Sequence, residues 1–313
     1  MHHFFKNLPI PMGGLALALL SIGNLFRQYD LMLLSHLAGT FGFILLVLLL
    51  LKVLLTPKET LEQLKQPMLA AVAPTITMAT MVGTTYLNRF ESLHVLALII
   101  WYLSLTLQVL LMLYFTYVFL VKRKWSWHNF YPSWFILYIG IGIIPITGQA
   151  FSHLIGEISL LISLILYIIF LPMVLYRVLV FKQFDKSATP LIAITCAPSS
   201  LILTGYLAAH DSPNKLLLVL WLILAQGLYF LVLYLLPKII PTDFYPSWSG
   251  LTFPFVICAT GLKASAPHFN GLTKTLLSAL AYAELIIAAV MVALVLIKYL
   301  NFLANLIQTK KHA

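Results

Sequence analysis

Charge is what this chain has least of: Asp, Glu, Lys and Arg make up 9% of its 313 residues, and only nine of them are acidic. With 61% hydrophobic residues and a mean hydropathy of +0.98, that scarcity excludes a soluble domain of this length. Cysteine is scarce too. Cys196 and Cys258 both sit inside apolar runs, so a disulfide framework or a thiolate metal site is not expected, and two buried, reduced thiols are. No metal-ligand cluster, phosphate-binding loop or nucleophile elbow occurs in the sequence, so no cofactor is expected and no catalytic pair supports an intramembrane enzyme. The basic residues are not interleaved with aromatics on a soluble module, which leaves no footprint for nucleic acid despite a net charge of +10. The opening MHHFFKNLPIPMGG lacks the ordered parts of a cleavable signal, so the first apolar run is expected to stay in the mature chain.

What the chain has in quantity is apolar length. A helical span needs about 20 apolar residues, and ten such stretches are expected, near 8–25, 30–55, 67–87, 92–121, 131–150, 154–180, 190–209, 214–237, 246–266 and 275–303. Arg27, Arg89, Lys215, Lys263 and Lys274 fall at one set of ends; the other 14 of the 19 Lys and Arg residues fall at the opposite set. Positive residues concentrate on the cytoplasmic side, so both termini are expected in the cytoplasm.

Proline divides the spans into two kinds. Every odd-numbered span opens on one: Pro9, Pro67, Pro132, Pro190 and Pro246, where the missing N–H costs no hydrogen bond. Pro74, Pro198 and Pro254 lie seven or eight residues further in and are expected to kink their helices; Gly140 holds the matching place in the fifth span, which adds Pro145, and the first span carries Gly13 and Gly14. The odd spans also carry hydroxyls and amides, among them Thr75, Thr77, Thr80, Thr147, Gln149, Thr195, Ser199, Ser200, Ser249 and Thr252. Such groups either line a pathway or satisfy loosened backbone. The even spans are nearly continuous Leu, Ile, Val and aromatic sequence, as expected of an outer layer. The pentapeptide FYPSW occurs at 130–134 and again at 244–248, marking corresponding points of two hairpin units in the same orientation. The expected fold is an all-α membrane protein, one domain over 1–313, with five parallel-repeated helical hairpins, five kinked odd helices inside and five even helices outside.

In length, span number and hairpin repeat, and in the motif LTFPF at 251–255, the chain resembles the tellurite-resistance and dicarboxylate transporter family. That family includes bacterial TehA-like proteins, fungal malate permeases and plant guard-cell slow anion channels. The resemblance implies a homotrimer in a bacterial inner or plasma membrane, with one pore per subunit and small inorganic or organic anions as the permeating species. It also makes Phe253 the ring that plugs the pore.

Aligning the odd spans on their prolines puts Phe253 level with Ala16, Ala73, Ile139 and Ala197, one large ring facing mostly small side chains. An apolar ring in a narrow neck blocks it and denies water to an ion; the competing reading is ordinary helix packing. Pro254 would set the kink and free the carbonyl of Gly250. With Gly140, the polar residues Thr75, Thr147, Ser199 and Thr252 complete the expected lining. Lys263, near the end of the ninth span, either raises the anion concentration at the mouth or snorkels to the interface. Glu284 is the one acid deep inside a span; it is a packing group or the proton site of a proton-coupled dicarboxylate carrier. The expected function is a gated anion channel or passive anion transporter, with that coupled carrier, or a tellurite or sulfite exporter, as the alternative.

Overall fold

Pro67, Pro74, Pro190, Pro198, Pro246 and Pro254 each stand in the first turn of a helical segment in the computed structural model, which describes residues 2–123 and 126–308. All regular structure among the described residues is helical: α1 His2–Asn7, α2 Met12–Arg27, α3 Met32–Leu55, α4 Pro57–Gln63, α5 Pro67–Val72, α6 Pro74–Leu87, α7 His94–Phe115, α8 Trp134–Ile139, α9 Ile144–Thr147, α10 His153–Tyr176, α11 Ala197–Ala209, α12 Lys215–Ile239, α13 Phe253–Ser265 and α14 Gly271–Gln308. Lys124, Lys310 and Lys311, counted above with the cytoplasmic set, lie outside the described residues.

Seven helical stretches among the described residues are long and apolar enough to cross a membrane: Met32–Leu55, Pro67–Leu87, Glu91–Val121, His153–Phe181, Thr189–Ala209, Lys215–Ile239 and Gly271–Gln308. The three other expected spans are shorter or composite. α2 has 16 residues, about 24 Å at the α-helical rise. The fifth is α8, a 3₁₀ turn at Gly140–Ile143 and α9; the ninth is a 3₁₀ segment at Pro246–Leu251 followed by α13. The seventh has the same build, with 3₁₀ geometry over Thr189–Cys196 before α11. The expected proline kinks are thus realised largely as changes of helix type. Proline cannot donate to the carbonyl four residues back, and i→i+3 bonding tightens the turn ahead of it.

Burial separates the stretches sharply. In Pro67–Leu87 and Thr189–Ala209, 72% and 83% of the apolar window is buried, against 22% to 39% in the other five long stretches. α2 and α13 are buried along most of their length. The sparsely buried helices expose Leu54, Val95, Leu103, Ile168, Ile223 and Val290, side chains as apolar as lipid tails. α14 runs for 38 residues, about 57 Å, well beyond a hydrocarbon core of about 30 Å.

The two FYPSW copies do the same work. In the first, the Phe130 and Trp134 rings pack 4.8 Å apart, and the end of the following long helix returns Arg177 Nε to donate to the Phe130 carbonyl at 3.0 Å. In the second, Phe244 and Trp248 pack at 5.9 Å, and Tyr299 from the following helix donates its hydroxyl to the Pro246 carbonyl at 2.5 Å. Each copy opens a buried segment with a Phe–Trp pair and is tied to the long helix that follows by a side chain that satisfies a turn carbonyl.

Two elements carry no apolar periodicity long enough to announce them. α4 starts on Pro57 with Glu59 in its first turn, where a carboxylate complements the helix dipole. α1 is held by Lys52, fully buried, whose Nζ donates to the carbonyls of Phe5 and Lys6 at 3.3 and 3.1 Å.

Candidate functional site

Five buried segments contribute side chains to one small cavity. Gly14 and Leu17 come from α2; Val72, Thr75 and Met78 from α5 and α6; Phe135, Ile136, Ile139 and Gly140 from the fifth segment; Leu191, Ile194, Ala197, Pro198 and Leu201 from the seventh; and Ser249, Gly250, Phe253 and Pro254 from the ninth. Its volume is about 40 Å³ and its lining is almost wholly apolar. Phe253, 8% exposed, opens α13 directly after Thr252, whose φ of −109° and ψ of −75° mark the change of helix type. Gly250 is a close-approach residue: a Cβ there would lie 3.2 Å from the Pro190 carbonyl oxygen, so a larger residue would push the seventh and ninth segments apart by a few tenths of an ångström.

Wider cavities lie on either side along these segments, the basal one without the fifth and the distal one without the seventh. At their N-terminal ends a basal cavity of about 390 Å³ is lined by Pro9, Pro11, Met68, Ser187, Tyr245 and Ser247, among others. At their C-terminal ends a distal cavity of about 560 Å³ is lined by Ser21, Asn24, Arg27, Gln28, Val82, Thr85, Asn88, Arg89, Ile143, Ile146, Thr147, Gln149, Ile257 and Thr260, among others. The lining follows helical stripes: 14, 17, 21, 24 and 27 on α2, and 72, 75, 78, 82, 85 and 89 on α5, α6 and the turn beyond. Steps of three and four residues keep one face turned to the same axis.

Of the residues expected to line a pathway, Thr75, Ile139, Gly140, Ala197, Gly250, Phe253 and Pro254 meet at the small cavity, and Thr147 borders the distal one. Ala16 is fully buried and borders neither. Ala73, with Thr77 and Thr80, faces a separate apolar cavity of about 330 Å³ toward α3 and α7. The hydroxyls mostly turn into their own helices. Thr75 donates to the Val72 carbonyl at 2.8 Å, Ser199 to Cys196 at 3.3 Å and Thr252 to Ser249 at 2.6 Å, and Thr77 bonds Gln108. Hydroxyls bonded to a carbonyl three or four residues back relieve loosened backbone and leave apolar surface facing inward.

Lys263 stands with its ammonium 4.0 Å from the centre of the Tyr29 ring, a cation–π contact, and does not line the distal cavity. Glu284 on α14 is 1% exposed, and its carboxyl oxygens have no hydrogen-bond partner among the described residues. Lys6 borders the basal cavity, and charge at the distal one comes from Arg27 and Arg89. The signal that finds them is the helical stripe, which leads from Gly14 and Thr75 to the two arginines.

Two comparisons bear on this geometry. The chain is 26% identical over 168 residues to the "Uncharacterized transporter MJ0762" of Methanocaldococcus jannaschii, a match covering 50% of this chain and 49% of that protein; the chain spans about half the length of the curated relative it matches. The family model described as "SLAC1: Voltage-dependent anion channel" matches residues 8–300, which take in every residue lining the small cavity and the distal one. The resemblance drawn from LTFPF and the hairpin phasing is borne out, and the chain belongs to the SLAC1 family of voltage-dependent anion channels.

Proposed function

We propose that the protein is a gated, passive anion conduit whose closed neck is plugged by Phe253. The observation that carries this reading is the series of three cavities along the buried segments, wide at both ends and only about 40 Å³ at the level of Phe253. A space of that size holds no more than a few waters. An apolar lining gives a bare ion nothing in exchange for its hydration shell, so the neck is closed sterically and by dewetting. On this reading the chain is one domain of ten membrane-crossing segments. The five buried ones surround the pathway and the five apolar ones form an outer layer, toward lipid and the other subunits of a homotrimer. Both termini face the cytoplasm of a bacterial cell. The permeating species are small inorganic or organic anions.

The test is the reversal potential of the purified protein in planar bilayers. Under a chloride or malate gradient it should follow the anion gradient alone and stay put when a pH gradient is imposed. A shift with the pH gradient would replace this reading by a proton-coupled carrier, for which buried Glu284 is the one acidic candidate. Glu284→Gln keeps the shape of the side chain, so transport and its pH dependence should stay near wild type; loss of proton-driven uptake in a well-folded variant would favour the carrier.

Orientation has its own test. Reporter fusions in the connections at Lys65 and Lys186 should read cytoplasm, and one at Ser212 should read the opposite side. A cytoplasmic signal at Ser212 would overturn the assigned topology.

A further inference from the structure

The distal cavity gathers two guanidinium groups and no acid. Among its lining residues are Arg27, Arg89, Asn24, Gln28, Thr85, Asn88 and Gln149, with no Asp or Glu, and neither arginine has a salt bridge among the described residues. Arg89 is held rigidly. Its Nη2 donates to Asn24 Oδ1 at 2.6 Å, its guanidinium lies 4.0 Å over the Tyr86 ring, and Tyr86 is itself tied down by donating to the Leu20 carbonyl at 2.7 Å. Asn24 in turn donates to Thr85 Oγ1 at 2.9 Å. The guanidinium is thus fixed by Asn24 and Tyr86 in the wall of the cavity, with no carboxylate among its partners. Nearby, Asn88 Oδ1 is engaged by His94 Nδ1 at 2.7 Å, which leaves the Asn88 amide hydrogens as donors.

Burial, and in smaller measure the charge of Arg27, pull Arg89 below its ordinary value, against the pull of Tyr86 the other way. Arg89, half-buried beside the exposed Arg27 with no carboxylate among the cavity residues, is stabilised by an anion that occupies the space the two share. Helix-end complementarity favours both, Arg27 in the last turn of α2 and Arg89 two residues past α6, but it does not require the two to share one wall.

We propose that the distal cavity is a binding site for small oxyanions with coplanar oxygens, carboxylate or nitrate in type, in which Arg89 holds the anion through its fork and Arg27 supplies long-range attraction. A planar guanidinium matches two coplanar oxygens better than it matches a spherical halide. The site stands ahead of the neck, whose apolar wall cannot read chemistry, so discrimination among anions is made here. The proposal rests on the reading of the distal cavity as the antechamber of the conduit.

The experiment is equilibrium binding of sodium nitrate, sodium malate and sodium chloride to the purified full-length protein in detergent at fixed ionic strength, followed by ligand-dependent thermal unfolding. Wild type should show saturable stabilisation, by nitrate and malate at lower concentration than by chloride. Arg89→Gln should weaken the oxyanions by about ten- to a hundredfold, the range for a lost charge-assisted hydrogen bond. Arg89→Lys keeps the charge and loses the fork, so it should erase the preference for oxyanions over chloride. Arg27→Gln, at an exposed position, should weaken all three by about two- to fivefold and covers the case in which an Arg89 variant fails to fold. Lys263→Gln removes a charge outside the cavity and should change nothing. Equal saturation in wild type and the arginine variants, or a loss in Lys263→Gln equal to that in Arg27→Gln, would overturn the site. Phe253→Ala should leave these affinities unchanged, so failure of the plug and failure of the binding site are separable results.

Discussion

Phe253→Ala is expected to raise the resting anion conductance of the reconstituted protein by about tenfold or more, since each 1.4 kcal/mol removed from the barrier is a factor of ten. The substitution deletes the one aromatic ring contributed by α13 to a cavity of about 40 Å³, and on the proposed reading it widens the neck and lets water through. Relative permeabilities should change little, because the arginine-bearing distal cavity is untouched. Phe253→Leu should fall between the two, a smaller apolar plug in the same place. Phe→Ala in a packed site costs roughly 3 to 5 kcal/mol, less where water enters the space, so single-channel currents must be compared at equal yields of folded protein. Equal conductance in the alanine form and wild type would make Phe253 a packing residue and put the closure elsewhere.

The largest loss of stability is expected from Arg177→Met. Arg177 is 1% exposed; its Nε donates to the Phe130 carbonyl at 3.0 Å, its Nη2 to the Gln183 carbonyl at 2.6 Å, and its guanidinium lies 3.9 Å over the Phe184 ring. Methionine fills much of the volume but strands both carbonyls, at roughly 1 to 3 kcal/mol each. The expected result is a lower unfolding temperature and a poor yield in detergent. Arg177→Lys should recover only part of the loss, because a single ammonium on a flexible stem replaces a fork that reaches two acceptors at fixed spacing. Tyr299→Phe is the matched change at the second FYPSW copy and should destabilise in the same direction, by about the value of one hydrogen bond. A fully stable Arg177→Met protein would show that the FYPSW turn is held by its Phe–Trp packing alone.

Much of the architecture was legible in the prolines. Pro67, Pro190 and Pro246 open segments, and Pro74, Pro198 and Pro254 open second segments within them. Proline acts locally, through a missing donor and a fixed φ, so its message survives without knowledge of the packing. The 3₁₀ geometry of Thr189–Cys196 and Pro246–Leu251 was not legible, because i→i+3 and i→i+4 bonding use the same apolar residues.

The site divides along a similar line. Phe253, Ile139 and Ala197 could be brought to one level by counting from prolines, and they do border one cavity. Ser199 and Thr252 could not be judged, since whether a hydroxyl faces a cavity or bonds its own turn depends on a rotamer. Arg27 and Arg89 are 62 positions apart, and only the pairing of α2 with α6 brings them to one wall. Lys263 looked equivalent to them by side of the membrane, yet it is turned onto Tyr29.

The 3₁₀ stretch at Pro246–Leu251 stores a twist. Its six residues advance about 120° each, against about 100° each in an α-helix, and rise about 2.0 rather than 1.5 Å. Rewinding that stretch to α-helical pitch would turn everything beyond it by about 120° and draw it in by about 3 Å. Phe253 sits two residues past the end of the stretch, so on the proposed reading a change of winding alone, with no bending of α13, would swing the ring away from the neck.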